Sequence, residues 1–260
     1  ERMLPEEGNT LLTLWLRDAG RNLTGAQRAE VTTKFAQSGG LPLYLRLAFE
    51  EARRWKSWES PEPLGIGLKN IIHENLLNRL SHEHHHGTVL VSRALGYIAV
   101  SRYGLAEDEI VSVLSRDKEV YTWFLHNSYH LPPDIVTFTQ RYLDDQGQPV
   151  DNVEAAGWLE ELRHDEPELR TLLSQIFKRK ENPRLPVVLW ARLLADLAPY
   201  LTRRTANGIV LMGFYHRELD DMTKEMLMPA VEQELHASLS DFFTNEADPD
   251  ANGTWMGASK

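Results

Sequence analysis

Residues 185–221 read LPVVLWARLLADLAPYLTRRTANGIVLMGFYHRELDD. Pro186 stands where a helix begins, because a proline at the first helical position gives up no needed N–H. Val187, Trp190, Ala191, Leu194 and Leu197 then recur at helical spacing. Pro199 stops that helix. Residues 201–203 and 209–215 read as the strands of a hairpin around Asn207-Gly208, since Asn-Gly supplies the positive φ angles of a tight turn. Glu218, Asp220 and Asp221 open a second helix, where carboxylates suit the positive end of the helix dipole. Helix, hairpin, helix is the second half of a winged-helix unit, and His216 falls at the joint between its last strand and last helix.

The first half lies upstream. Residues 89–102 are predicted as a helix with Leu90, Ala94, Tyr97 and Ile98 on one face. Tyr103-Gly104-Leu105 is a short extended link. A helix over residues 107–114 turns Ile110, Val113 and Leu114 inward. Between the halves, residues 115–184 carry Pro132-Pro133, Pro149 and Pro167. Trp123, Phe124, Phe138, Tyr142, Trp158, Leu159 and Leu162 mark that stretch as folded, and a helical insertion is expected.

Further upstream, residues 1–7 read as the end of a strand. Leu11, Leu14, Trp15 and Ala19 form the expected inner face of a first helix. Thr24 and Gln27 make a capping box for a second, with Val31 and Phe35 inside and Gly39-Gly40 closing it. Pro42 opens a third helix to about residue 58. A Pro- and Ser-containing break over residues 57–65 marks a domain boundary. A fourth helix carries Leu68, Ile71, Ile72, Leu76 and Leu80 and ends near Gly87. Val231, Leu235, Leu239, Phe242 and Phe243 line a last helix.

The expected fold is therefore mostly α: a helical domain over residues 1–58, then a winged-helix domain over 66–245 with a small β-hairpin wing and a helical insertion at about 115–184. Residues 246–260 read as a linker. The chain begins at Glu1 rather than Met and ends in a polar run, so both ends are expected to be cuts in a longer protein. No apolar run is long enough for a membrane span and no secretory leader is visible. The absence of cysteine matches a reducing compartment, and a cytoplasmic location is expected. A net charge of −10 argues against a general nucleic-acid binder.

Candidate chemistry is sparse. No GxxxxGK[ST] phosphate loop and no HExxH occurs, so no hydrolytic machinery is expected here. His82-Glu83-His84-His85-His86 could hold zinc. A solvated helix end, with cationic histidine at the negative dipole end, is the preferred reading because no second ligand set supports a metal. Glu107-Asp108-Glu109 and Glu160-Glu161 could act as acid/base pairs, but they fall at predicted helix starts or on polar faces.

Gly40-Leu41-Pro42-Leu43 resembles the GLPL motif of the STAND signalling NTPases, in their NB-ARC and NACHT branches. Residues 38–51, SGGLPLYLRLAFEE, are similar to the corresponding run of NACHT proteins with tetratricopeptide or WD repeats, the nephrocystin-3 and telomerase-associated protein 1 type. So are residues 94–109, ALGYIAVSRYGLAEDE, and residues 213–218, GFYHRE. The resemblance implies that Pro42 lies against an adenine base, with Leu41 and Leu43 beside it. It also implies that His216, the middle residue of the family's MHD motif, touches the β-phosphate of ADP. Tyr215 and Arg217 depart from that motif, so the match rests on the histidine and its position. A helix N-terminus favours anions, which agrees in direction. A joint histidine that only packs is the plainer alternative. At Ala106, relatives often carry serine, and alanine forfeits that side-chain cap.

What the resemblance implies is a regulatory arm of a STAND NTPase. ADP or ATP would bridge it to a preceding ATPase core, and no metal would come from this fragment. Repeats would follow, and the protein would oligomerise on activation in signalling or antiviral defence. The alternative is a winged-helix DNA-binding regulator, with residues 187–198 as recognition helix and Arg203 and Arg204 on phosphates.

Overall fold

The computed structural model describes residues 2–129, 185–206 and 208–247. Ten helices and one hairpin follow in order among them. Helices α1 (Pro5–Asp18), α2 (Gly25–Gln37) and α3 (Pro42–Ala52) come first. Helix α4 is continuous but uneven: Gly67–Asn70 is α-helical, Ile71–Leu77 is π-helical and Asn78–Ser81 is α-helical again. Then come α5 (Thr88–Val100), α6 (Glu107–Arg116), α7 (Lys118–Tyr129) and α8 (Val187–Leu197). A 3-10 turn, Ala198–Tyr200, leads into β1 (Leu201–Ala206) and β2 (Ile209–Phe214). Helices α9 (Arg217–Leu227) and α10 (Glu232–Asp241) close the described chain, with a π-helical turn at Phe242–Ala247. The mostly helical class with one small antiparallel sheet is as expected.

Local chemistry accounts for many boundaries. The capping box of α2 is complete. The Gln27 N–H donates to Thr24 Oγ1 at 3.3 Å, and the Thr24 N–H donates to Gln27 Oε1 at 3.1 Å. Gly40 closes that corner with φ +67°, and the Met3 N–H donates to its carbonyl at 2.8 Å. A Cβ there would stand 2.4 Å from the Met3 carbonyl oxygen, so both conformation and space demand glycine. The π-helical stretch in α4 brings the pairs Ile71–Ile72 and Leu76–Leu77, five residues apart, to the same buried side.

The hairpin runs in register from Leu201 opposite Phe214 to Ala206 opposite Ile209. Leu105 adds an isolated bridge to β2: its N–H donates to the Met212 carbonyl at 3.1 Å, and its carbonyl accepts the Met212 N–H at 2.8 Å. The link before α6 thus docks on the hairpin. Helix α5 is the centre of the second half, packed against α4, α6, α7, α9, α10 and β2. Its Gly96 lets α10 approach, since a Cβ there would meet Leu235 Cδ1 at 2.6 Å. The apolar core is continuous from Leu12, Phe35 and Tyr44 through Tyr97 and Ile110 to Trp190, Leu193 and Met212.

Several expectations shift. The segment before α1 is no strand, and the helix already begins at Pro5. The buried stripe of α1 is Gly8, Leu12 and Leu16, because Gly8 makes room for the Phe35 ring; Leu14 is 40% exposed. Helix α3 ends at Ala52 instead of near residue 58. In α8 the buried residues are Trp190, Leu193 and Leu197, while Val187 is exposed. Of the expected insertion, α7 is described, with Phe124 buried and Trp123 half-buried. Phe138 and Trp158 lie outside the described residues. Among the described residues, no helix is long and apolar enough to cross a membrane.

Candidate functional site

Pro42 is the first residue of α3, with Leu41 as its extended N-cap. It is exposed, whereas Leu41 and Leu43 are half-buried and lean on the core. Tyr44, Leu45, Leu47 and Ala48 face inward, which leaves Pro42 and Arg46 on the outer side, one turn apart. Arg46 is held from two directions. It pairs with Glu50 at 2.7 Å, and its guanidinium stands 5.4 Å from the ring centroids of both Trp15 and Phe49. Glu50 is almost wholly buried and also meets Arg53 at 2.6 Å.

Tyr215 and His216 approach the same region from the end of β2. Burial pushes the Tyr215 phenol up to about 12, while Arg46 pulls it down and Glu50 pushes it up. Both of those charges belong to α3. The Tyr215 N–H donates to the Tyr200 carbonyl at 3.2 Å, and Tyr200 Oη reaches Glu51 at 3.3 Å. Glu51 in turn receives two hydrogen bonds from Arg79, at 2.8 and 2.9 Å. The strand end is therefore fastened to α3 and α4 through buried ionic groups.

His216 is the N-cap of α9. Its backbone is extended, and its Nδ1 accepts the Glu218 N–H at 3.2 Å. An accepting Nδ1 leaves the proton of the neutral ring on Nε2. His216 is exposed, so this donor points away from its own helix end. The arrangement offers an exposed proline face, a restrained cation at Arg46 and an imidazole donor at a helix N-terminus. These groups suit an apolar ring carrying an anionic tail.

The histidine run divides. Among the described residues, no group of three or more histidines and carboxylates could hold a metal ion. Nor is the run wholly a solvated helix end: His86 is buried, with its Nε2 2.9 Å from Asp196 Oδ2. Asp196 also receives Arg54 at 2.5 Å. Sequence reading missed this joint and the roles of Arg46 and Tyr215. The spacing of Arg46 and Glu50, four apart on α3, was the available signal for the latter. Glu109, one of the candidate acids, is structural: its Oε2 accepts the Ala106 N–H at 2.7 Å.

No protein-family model matches the chain, and no solved structure matches it. Among curated proteins, its relatives include NACHT proteins with WD repeats, and the chain is homologous to a segment of those proteins. Human NACHT domain- and WD repeat-containing protein 1 is 32% identical over 257 residues, covering 98% of this chain and 12% of the relative. Its mouse counterpart is 31% identical over 239 residues, or 92% of this chain and 12% of that protein. Human NACHT and WD repeat domain-containing protein 2 is 24% identical over 244 residues, again 92% of this chain and 10% of the relative. The chain thus spans about a tenth of the length of these proteins.

Proposed function

We propose that this chain is the regulatory arm of a NACHT-type STAND ATPase: a helical domain over residues 1–58 followed by a winged helix over 66–245. The order α5, Leu105 bridge, α6, α8, β1, β2, α9 supports the winged-helix assignment. In this reading an ATPase core precedes the arm in the parent chain and WD repeats follow it; the relatives' names give those proteins a NACHT domain and WD repeats. ADP bridges core and arm, with Pro42 against the base and His216 on the β-phosphate. It holds the closed state, and exchange for ATP releases the arm and permits oligomerisation in cytoplasmic signalling or defence.

The observation that carries this reading is the geometry of His216. Its Nδ1 is spent on its own helix, and its Nε2–H is left to reach outward from a helix N-terminus. The rival, a DNA-binding winged helix, is weaker. Helix α8 turns Trp190, Leu193 and Leu197 to the core and ties Asp196 to Arg54 and His86, and its exposed face of Val187, Val188, Ala191, Arg192 and Ala195 offers a groove a single cation.

The test uses the parent protein. A hydrogen bond to a charged group is worth about 1.5–3 kcal/mol, so His216→Asn weakens ADP binding by roughly ten- to a hundredfold. Unaltered ADP affinity in folded protein overturns the reading.

A further inference from the structure

At the far end of α3 from Pro42, a concavity of about 480 Å³ lies between α3 and α8. Arg21, Arg53, Arg54, His85, His86 and Arg192 line it, against one carboxylate, Asp196. They come from four places: the loop after α1, the end of α3, the turn before α5, and α8. Gathering four guanidinium groups around one hollow is unfavourable in itself, and the chain as a whole carries a charge of −10. Asp196 cannot neutralise them, because Arg54 and His86 already occupy it.

Most of the arginine donors remain. Arg21 spends one N–H on the Trp55 carbonyl, Arg53 lies against Glu50, and Arg54 bonds Asp196 and the Glu50 carbonyl. A guanidinium carries five N–H groups in a rigid fork, so each keeps donors for a further acceptor. Arg192 is exposed and has no partner among the described residues.

We propose that this hollow is an anion site for a small molecule bearing clustered phosphates, distinct from the ADP site at Pro42 and His216. Planar forks converging from several elements match phosphate oxygens two at a time. The volume lies within the usual 300–1,000 Å³ range of small-molecule pockets. An occupant would touch α3, the histidine turn and α8 together, and so lock the first three helices to the hairpin half of the chain.

Titration of the full 260-residue chain with sodium tripolyphosphate tests this, by calorimetry and by thermal melting. One saturable site and a raised melting temperature are expected. Arg192→Glu weakens binding at least about tenfold, by exchanging attraction for repulsion at one lining position. Arg203→Glu, on the exposed outer face of β1, leaves affinity unchanged, as does His216→Ala. Arg192→Ala serves as a milder second variant should Arg192→Glu not fold, and it too must weaken binding. Absence of saturable binding overturns the proposal. So does equal weakening by Arg192→Glu and Arg203→Glu, which means general charge attraction. Loss with His216→Ala but not with Arg192→Glu also overturns it, because the probe then sits at the other site. Phosphatidylcholine vesicles with and without a phosphoinositide separate the two sources of such phosphates. Recruitment that Arg192→Glu abolishes assigns a lipid headgroup, and tripolyphosphate binding without recruitment assigns a soluble ligand.

Discussion

His86 Nε2 and Asp196 Oδ2 stand 2.9 Å apart, joined across 110 residues of chain. Arg54 completes the joint from the turn after α3, so three parts of the chain meet at one carboxylate. Burial works against the charge of Asp196, but the hydrogen bonds from Arg54 and His86 and the fields of Arg54 and Arg79 outweigh it. Its carboxyl is held below the usual range. A depressed folded pKa stabilises the fold above the unfolded value and loses that contribution as pH falls through the folded one. About a quarter of the side chain meets solvent (26%), so the contribution is discounted to about 1–2 kcal/mol. Asp196→Asn should therefore lower the melting temperature at pH 7. The gap to the parent sequence should narrow only below about pH 4. A gap independent of pH would mean that charge plays no part in the joint.

That joint also shows where sequence reading stops. The capping box at Thr24 and Gln27, the turn at Gly208 and the start of α3 at Pro42 are local, and the responsible residues are at most three apart. The hairpin and the order of helices followed from such signals. The rotation of α1 did not, because Phe35 of α2 decides which side is buried by filling the space that Gly8 leaves. His86 looked like its exposed neighbours, since nothing nearby in sequence announces a partner on α8. At the candidate site, His216 was legible from its position before an acidic helix start. The supporting Arg46, Glu50 and Tyr215 needed packing between distant elements to acquire a role.

A second buried network orders α7. Asp117 accepts Tyr97 Oη–H at 2.7 Å and caps α7 by accepting the Val120 N–H at 3.1 Å; Arg93 lies 3.5 Å away. Burial, then the charge of Asp117, pushes the Tyr97 phenol up, so it stays a donor. Tyr97→Phe removes one bond and should cost about 1 kcal/mol. Asp117→Ala removes the cap and leaves Tyr97 without its acceptor, at about 2–4 kcal/mol. Urea unfolding of both variants measures the difference. Equal costs would show that the cap contributes nothing.

Ala106 offers a gain. It has the extended backbone of an N-cap and keeps half of a capping box, the bond from its N–H to Glu109. Its methyl cannot accept the Glu109 N–H. Ala106→Ser supplies that acceptor and should raise stability by about 0.5–1 kcal/mol. Glu109→Ala should cancel most of the gain if the two halves act together, which a double-mutant cycle would read as a coupling between them.

The cap at His216 lets stability and ligand binding be separated at one position. As the N-cap of α9, the ring satisfies the Glu218 N–H, so His216→Ala should cost about 0.5–2 kcal/mol even without nucleotide. Asparagine is among the best N-cap residues, so His216→Asn should leave the melting temperature of this chain close to the parent value. Its shorter side chain, with the oxygen spent on the cap, does not extend a donor as far as Nε2 does. In the parent protein both variants should then bind ADP more weakly, although only one is destabilised. If ADP affinity instead follows stability, lost with alanine and kept with asparagine, His216 acts through the helix end alone. A loss of affinity in the fully stable asparagine variant assigns the reach to Nε2.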